Sequence, residues 1–497
     1  MGWDITASKN DHEKIKHHVV RGGVITFLAQ GCKFLLNLVS TMMLARLLAP
    51  QDFGLIAMAA VLSGFLMTFK DLGLSVATIQ ASQITQTQVS NLFWINLLVG
   101  FSLMLIMMLC APILASFYGD GRLIYIVGAL SIVFLLNGFS VQFQAVLSRE
   151  LKFSVLAKLD VASISVGVCI GVFFAYWGLG YWSLVLMQVA IAMFNAIGLW
   201  LSSSWRPGKF EKKVPIVEML KFGGHLTLAG ALNYFSRNLD NILVGHFLGP
   251  RTLGLYSKAY SLLLLPIGQI VAPMNSVVLP VLSRLQADSE GYRKYYLNSL
   301  KMIAYTTFPM VMLMGVLADE VILGFLGQQW VDAILIFKIL AAAALFQPVV
   351  STVGWLYMSL GETRRMARWG VVTGILISLS FLFGLKWGVL GVACSYSVIC
   401  ILLVVPEFYI AIKGSPISLV DIFKTLFPPL AIGVITSLIA GVSKYFLFGY
   451  NPFMVMIIST AIGLICAFFL MLSLKSLRAD LLTISNTLKL AFKIKPT

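Results

Sequence analysis

Apolar stretches of about 20 residues, each long enough to cross a bilayer core as a helix, recur along this chain from position 22 to position 474. They constrain its fold more than any other feature, because in lipid a backbone must satisfy its own hydrogen bonds. Of 497 residues, 59% are hydrophobic and only 11% are charged. In soluble domains roughly a quarter of the residues are charged. The sequence therefore predicts an all-α integral membrane protein.

Polar and Gly/Pro clusters divide the apolar sequence into about 14 predicted membrane-spanning helices. Their limits are 21–45, 53–78, 90–116, 123–146, 154–176, 181–202, 216–247, 253–280, 297–325, 333–358, 366–386, 389–412, 420–443 and 453–474. The polar start, MGWDITASKNDHEKIKHH, has no signal-peptide core. We therefore expect the first span to be retained.

Basic residues set the expected orientation. Most of the 36 lysine and arginine residues fall in the two terminal tails and in alternate loops. Because cytoplasmic loops carry such an excess, both termini are predicted to be cytoplasmic. The net charge of +16 is then explained by topology and by contact with anionic membrane lipids, and no nucleic-acid partner is expected. The six cysteines fall in apolar segments without metal-ligand spacing, so no metal site and no cofactor are expected.

One short phrase occurs twice. Residues 44–55 read LARLLAPQDFGL and residues 244–255 read VGHFLGPRTLGL, with leucine, proline, glycine and leucine shared at equivalent positions. A second pair, WGLG at 177–180 and WGVLG at 387–391, supports the repeat. Six predicted spans separate the two phrases, so both copies face the same way. Such a parallel repeat relates two halves by an axis along the membrane normal.

The repeat predicts two six-helix lobes followed by two extra spans. The predicted segments are a cytoplasmic tail (1–20), an N-lobe (21–202), a basic cytoplasmic linker (203–215), a C-lobe (216–413), spans 13 and 14 (414–474) and an amphipathic cytoplasmic tail (475–497). Two-lobed transporters place their substrate between the lobes, near the midplane.

A polar stripe lies on the equivalent helix of each lobe. In span one the stripe includes Lys33 and Asn37, and the positions two hundred residues later include Asn233, Arg237 and Asp240. Lys33 lies near the middle of its span, where a lipid-facing charge costs at least ~2.5–3.5 kcal/mol. We therefore expect Lys33 to face a protein interior or a wet cavity.

Other charges within the spans leave two interpretations open. Arg237 and Asp240 are three residues apart and either serve function or neutralise each other. Lys70 and Asp71 either serve function or anchor the inner end of span two. Lys258 either faces a cavity or extends outward to the interface.

Lys33 has no acidic neighbour on its own helix. Asp160 and Glu407 lie near the inner ends of their spans and are expected at the membrane interface.

Residues 44–80, LARLLAPQDFGLIAMAAVLSGFLMTFKDLGLSVATIQ, closely resemble the opening of Wzx-type polysaccharide exporters of the colanic-acid and exopolysaccharide branch. These belong to the MOP superfamily, with the MATE antiporters and the lipid II flippases. The resemblance implies a MOP/MATE-like fold and a flippase for undecaprenyl-diphosphate-linked oligosaccharide in a bacterial inner membrane. It also implies alternating access and, as a neighbour, a polysaccharide polymerase.

The resemblance also implies a cationic cavity that attracts the lipid diphosphate. The predicted substrate-binding residues are Lys33, Asn37, Lys70, Asn233, Arg237 and Lys258. Asp71 and Asp240 are the candidate ion-coupling carboxylates. Tyr234, Tyr256 and Tyr260 are candidate platforms for sugar rings, and no catalytic residue is expected.

The alternatives include a cation antiporter, a membrane enzyme and a scaffold. A MATE-like cation antiporter would need a carboxylate-dominated cavity, whereas the charges within these spans are mainly basic. A membrane enzyme of glycan assembly would display a long outer loop with catalytic residues, and every predicted outer loop is short. A scaffold of glycan assembly that does not itself transport remains an alternative.

Overall fold

A computed structural model of the protein describes residues 9–70, 75, 78–79, 84–211, 217–447, 449–473 and 478, with side chains described outside 9–27, 217–233 and 235–237. These residues form fifteen α-helices and two short 3-10 turns. The helices are α1 (Lys9–Leu47), α2 (Pro50–Met67), α3 (Gln86–Tyr118), α4 (Arg122–Arg149), α5 (Phe153–Tyr176), α6 (Tyr181–Ser202), α7 (Val217–Arg284), α8 (Ser289–Val316), α9 (Ala318–Phe325), α10 (Ala333–Val350), α11 (Val353–Ser359), α12 (Thr363–Gly384), α13 (Gly388–Ala411), α14 (Leu419–Phe446) and α15 (Pro452–Ser473).

The predicted all-α membrane fold is confirmed. Among the described residues, twelve helical stretches are long and apolar enough to cross a membrane. Two of them, Asn238–Arg284 and Thr363–Ala411, have 47 and 49 residues, more than twice what one crossing needs. Each contains a break, at Gly249 and at the 3-10 turn Leu385–Trp387. The count of fourteen spans stays a prediction.

The predicted bounds of span nine are wrong. Span nine was expected to run from 297 to 325, but α8 ends at Val316 and a separate short helix, α9, follows. The break is at Leu317, whose ψ of 24° leaves the helical range. The acidic residues Asp319 and Glu320 lie in the first turn of α9, where a helix dipole favours negative charge.

The chain forms two compact units, Met1–Gly254 and Leu255–Thr497. This division falls within α7, so the stretch from Val217 to Gly254 belongs to the first unit. The lobes of the predicted repeat, 21–202 and 216–413, stay a prediction.

In the first unit, the first copy of the repeated phrase forms the corner between α1 and α2. Ala49 is extended, and Pro50 begins α2, a position where the missing N–H costs nothing. The Asp52 carboxylate accepts the backbone N–H of Ala49 at 3.0 Å and that of Tyr181 at 3.1 Å. One side chain thus caps α2 and ties it to the start of α6.

The second copy forms the equivalent corner within α7. Gly249 has φ 80°, a conformation that favours glycine, and Pro250 follows it. The two corners meet reciprocally: a Cβ on Gly54 would overlap the Pro250 carbonyl group, and a Cβ on Gly254 would overlap that of Pro50. A two-fold relationship produces such exchange, in which residue i contacts j and residue j contacts i. The two copies of the repeated phrase therefore form two corners whose backbones contact each other.

Helices α5 and α6 pack closely through small residues. A Cβ on Gly167 would overlap the Ile191 side chain, and one on Gly198 would lie 2.6 Å from Cδ2 of Leu159. Small residues at such positions let membrane helices approach and pack. The α5–α6 pair is a rigid part of the first unit.

An extended strap, residues 203–211, follows α6 and lies along α3. The Asn91 side chain pairs with both backbone groups of Glu211, at 2.7 and 3.0 Å. The Gly208 carbonyl oxygen accepts a hydrogen bond from Trp94 Nε1 at 2.8 Å, and the Gly208 N–H donates to the Ser90 hydroxyl at 2.9 Å. Side chains of α3 thus form the hydrogen bonds that the strap's backbone groups would make with one another in a helix.

The second unit has an aromatic core between α8, α11 and α13. Tyr292 and Tyr296 on α8 are buried, and their hydroxyls contact Ser359 Oγ at 2.7 Å and Thr352 Oγ1 at 2.9 Å. The Trp355 indole donates to Asn275 Oδ1 at 2.6 Å. Each of these buried polar groups therefore has a partner, as low-dielectric surroundings require.

A charge cluster joins α9, α10 and α14 of the second unit, and we call it the α9 clasp. Asp319 contacts Lys338 Nζ at 3.0 Å and Lys444 Nζ at 2.7 Å, and Lys444 also contacts Glu320 at 2.9 Å. Burial alone would raise the pKa of the Asp319 carboxyl, but the two lysines outweigh it and the pKa lies below its usual value. The clasp fixes α14 to the junction of α8 and α9.

Candidate functional site

The charge predicted for span one is paired across two helices. The Lys33 ammonium on α1 contacts Oδ2 of Asp160 on α5. Asn195 on α6 donates to the other oxygen, Oδ1, at 3.3 Å. The side chains of Lys33 and Asp160 are 21% and 37% exposed, so the rest of the protein leaves the pair partly uncovered.

The polar stripe and the apolar exposed face of α1 lie on opposite sides. Leu28, Leu35 and Val39 are exposed and lie on one face of α1, which we call the leucine face and expect to contact lipid. Asn37, one turn from Lys33, is also exposed, but it lies about half a turn away from that leucine face. Lys33 therefore does not share the apolar face.

The polar stripe predicted for the second lobe lies only partly within the described residues. The side chains of Asn233 and Arg237 lie outside the described residues, as does Asp71 of span two. Asp240 is only 3% exposed, and its carboxylate accepts the backbone N–H of Asn241 at 2.8 Å. Within the described part of the chain, the buried Oδ1 of Asn241 has no hydrogen-bond partner.

The two remaining predicted lysines belong to different units. Lys70 is exposed just beyond the end of α2, and its backbone N–H donates to Met67 at 3.2 Å. Lys258 is half-buried in the second unit, and its carbonyl oxygen accepts the Ser261 hydroxyl at 3.0 Å. Of the predicted site residues described in the first unit, Lys33 is the one that the structure pairs with a carboxylate of another span.

The candidate sugar platforms have different environments. Tyr256 is fully buried, and the Tyr234 hydroxyl donates to the carbonyl oxygen of Ala60 at 2.9 Å. Tyr260, half-buried in the second unit, contacts the Tyr396 hydroxyl at 2.9 Å, and Gln347 donates to both hydroxyls. Full burial removes Tyr256 as a stacking surface, whereas Tyr260 is partly exposed.

Sequence reasoning missed Asp160 as the partner of Lys33, because it assigned Asp160 to the membrane interface. The signal was present: Asp160 is the one acidic residue of segment 154–176, and a single lysine lies in the interior of span one. No group of three or more potential metal-ligating residues occurs in the described part of the chain.

Comparison with known proteins gives one family. The sequence profile described as "Polysaccharide biosynthesis protein" matches residues 43–335. Teichuronic acid biosynthesis protein TuaB of Bacillus subtilis (strain 168) is 26% identical over 465 residues, which cover 92% of this chain and 96% of TuaB. Lipopolysaccharide biosynthesis protein WzxC of Escherichia coli (strain K12) is 24% identical, with 76% and 77% covered.

Among solved structures, the chain is similar to the lipid II flippase MurJ in an inward closed conformation. The TM-score is 0.67, with 16% sequence identity over 90% of this chain and 97% of that one. At this identity the likeness concerns the fold. It confirms the MOP-type fold implied by residues 44–80.

Proposed function

Since the chain belongs to the family of polysaccharide biosynthesis proteins, we propose that it moves a lipid-linked oligosaccharide from the cytoplasmic to the periplasmic leaflet of a bacterial inner membrane. The near-complete alignment with a teichuronic acid biosynthesis protein supports the glycan, and the fold shared with a lipid II flippase supports the lipid carrier. The proposed substrate is an oligosaccharide on undecaprenyl diphosphate.

The observation that carries this proposal is the position of Lys33. Its ammonium lies within an apolar span, away from the leucine face of α1, and remains partly exposed. A cation in such surroundings attracts a diphosphate more strongly than it would in water. Asn37, exposed one turn away, offers a polar contact to the sugar, while the prenyl tail stays in lipid.

The proposed mechanism is alternating access. The reciprocal contact of Gly54 with Pro250 and Gly254 with Pro50 supports it, because two equivalent corners that touch through backbone atoms can separate without breaking a side-chain lock. Lys70, Asn233, Arg237 and Lys258 stay proposed contacts of the substrate. Asp71 and Asp240 stay proposed coupling carboxylates.

The proposal includes the membrane in which the protein lies, its orientation and a partner. The charge bias of the loops supports cytoplasmic termini in the inner membrane, and a polysaccharide polymerase would receive the flipped product. A scaffold without transport would require intact lobes but no cationic site. The two functions therefore differ in what Lys33→Ala does.

A genetic experiment tests the proposal. In cells that lack the protein, surface polysaccharide should fall and the lipid-linked oligosaccharide should accumulate with its sugars on the cytoplasmic face. Wild-type protein should reverse both effects, and Lys33→Ala, expressed at an equal level, should not. Full rescue by Lys33→Ala would favour the scaffold.

A further inference from the structure

The pair formed by Lys33 and Asp160 raises a problem for any role of Lys33 in binding an anion. A lysine neutralised by a carboxylate has little net attraction for a distant phosphate. An anionic head group that binds Lys33 must compete with Asp160 for the charge of the ammonium. The geometry of the pair bears on whether the head group can take the place of Asp160.

Asp160 is held in place independently of Lys33. Asn195 donates to Oδ1, whereas Lys33 contacts Oδ2, so departure of the lysine leaves one donor on the carboxylate. The helices that carry Asp160 and Asn195 pack closely at Gly167 and Gly198. Asp160 is therefore a fixed group on a rigid helix pair.

Lys33 is the movable partner. Its ammonium ends a flexible four-carbon chain with three rotatable donors. The carboxylate is 37% exposed and the lysine side chain 21% exposed, so protein does not fully cover the contact and a ligand has access to it. The C-terminal end of α1 is fixed separately, where Leu44 and Leu48, the residue that follows the helix, pack with Ala175 and Leu184. Exchange at Lys33 therefore needs no movement of the helix.

We propose that Asp160 is a built-in competitor of the substrate, so that Lys33 alternates between the Asp160 carboxylate and the phosphate groups of the lipid carrier. This inference rests on the proposed function and adds Asp160 and Asn195 as positioning residues. Asp160 neutralises Lys33 when no substrate is present and takes it back when the head group leaves. It thereby limits how tightly the carrier is held and allows its release.

Binding by the purified full-length protein tests the competition. Undecaprenyl diphosphate is the probe, and undecaprenol, which lacks phosphate, is the control lipid. Asp160→Asn should bind undecaprenyl diphosphate about tenfold more tightly and release it more slowly, because Lys33 is no longer neutralised. Lys33→Ala should bind it at least about tenfold more weakly, and neither change should affect undecaprenol.

A matched control removes an equivalent negative charge elsewhere. Asp120 pairs with Arg122 at 2.7 Å between α3 and α4, and Asp120→Asn should leave binding unchanged. Equal or weaker binding of undecaprenyl diphosphate by a folded Asp160→Asn would overturn the proposal, since a purely structural pair predicts that result.

A second measurement needs no substitution. A membrane-permeant carbodiimide condenses the Lys33 amine with the Asp160 carboxyl group to an amide and takes up the released water to become a urea, provided that the two groups are in contact. Peptide mass spectrometry should find this cross-link in the free protein. Undecaprenyl diphosphate should suppress it and undecaprenol should not. A cross-link that persists with bound diphosphate would overturn the exchange.

The two hypotheses fail separately. Wild-type protein that flips the glycan while Asp160→Asn shows no tighter binding would leave the proposed function standing without the competition. Wild-type protein that flips no lipid-linked glycan would remove the proposed function itself.

Discussion

The backbone carbonyl group of Pro250 lies directly against Gly54 and occupies the space that a side chain at position 54 would need. The same contact recurs with the numbers exchanged, between Gly254 and Pro50. The repeated phrase LARLLAPQDFGL and VGHFLGPRTLGL thus marks two helix corners that touch each other. Both copies place proline at the start of a helix and glycine one turn later. Proline suits the first position of a helix, and glycine leaves room for the carbonyl group of the other corner.

Gly54→Ala is predicted to separate the corners. The new methyl group meets backbone, which cannot rotate away, so overpacking should cost about 1–3 kcal/mol in the state that has this contact. Transport should fall at least about tenfold at equal expression. Gly31→Ala is the matched control, since a Cβ on Gly31 meets nothing within 4 Å. Equal transport by both variants would exclude the corner contact from the cycle.

Asp52 is predicted to stabilise the first unit through its two oxygens. Its Oδ2 accepts from Ala49 and its Oδ1 from Tyr181, so Asp52→Asn loses one acceptor and Asp52→Ala loses both. Each loss should cost about 1 kcal/mol, and unfolding temperatures in detergent should fall in that order. Similar stability of Asp52→Ala and wild type would show that α2 and α6 are held together by other contacts.

The strap is predicted to depend on Asn91, which bonds both backbone groups of Glu211. Asn91→Ala removes two hydrogen bonds, which should increase the open population of the strap roughly tenfold. Limited trypsin digestion should then cleave faster after Lys209. Adding Lys209→Gln should abolish that fragment and confirm the cleavage site. Unchanged cleavage kinetics in Asn91→Ala would contradict the role of Asn91.

The α9 clasp is predicted to give a pH-dependent stability. The pKa of Asp319 is lowered in the folded protein, so its contribution is fully present above the unfolded value of 3.8 and is lost as pH falls through the folded value. Wild type should unfold at a higher temperature than Asp319→Asn at pH 7, and the difference should shrink below about pH 4. A difference that stays constant down to about pH 3 would mean that the carboxylate charge does not stabilise the clasp.

Features confined to one stretch of chain were predictable from the sequence. Apolar runs of sufficient length gave the helices, because in lipid the backbone has few alternatives. The corners were visible as a repeated phrase. The break at Leu317 was not predicted, because the predicted span 297–325 runs through it and through the acidic pair in the first turn of α9.

The partner of Lys33 was not predictable in the same way. Helical spacing relates residues three or four apart, whereas Lys33 and Asp160 are 127 positions apart in sequence. The strap escaped prediction for a similar reason, because its hydrogen-bond partners lie on α3, more than a hundred residues earlier. Complementary charges in two apolar segments narrow the choice of partners, but packing decides between them.

The most direct measurement follows the orientation of the substrate in proteoliposomes that contain the purified protein. A labelled undecaprenyl-diphosphate oligosaccharide is incorporated, and the fraction reached by an external glycosidase is recorded over time, with a cationic dye in parallel. Wild-type protein should flip the glycan lipid and leave the dye in place, and Lys33→Ala should flip at least about tenfold more slowly. Movement of the dye without movement of the glycan would contradict the flippase and favour a cation antiporter.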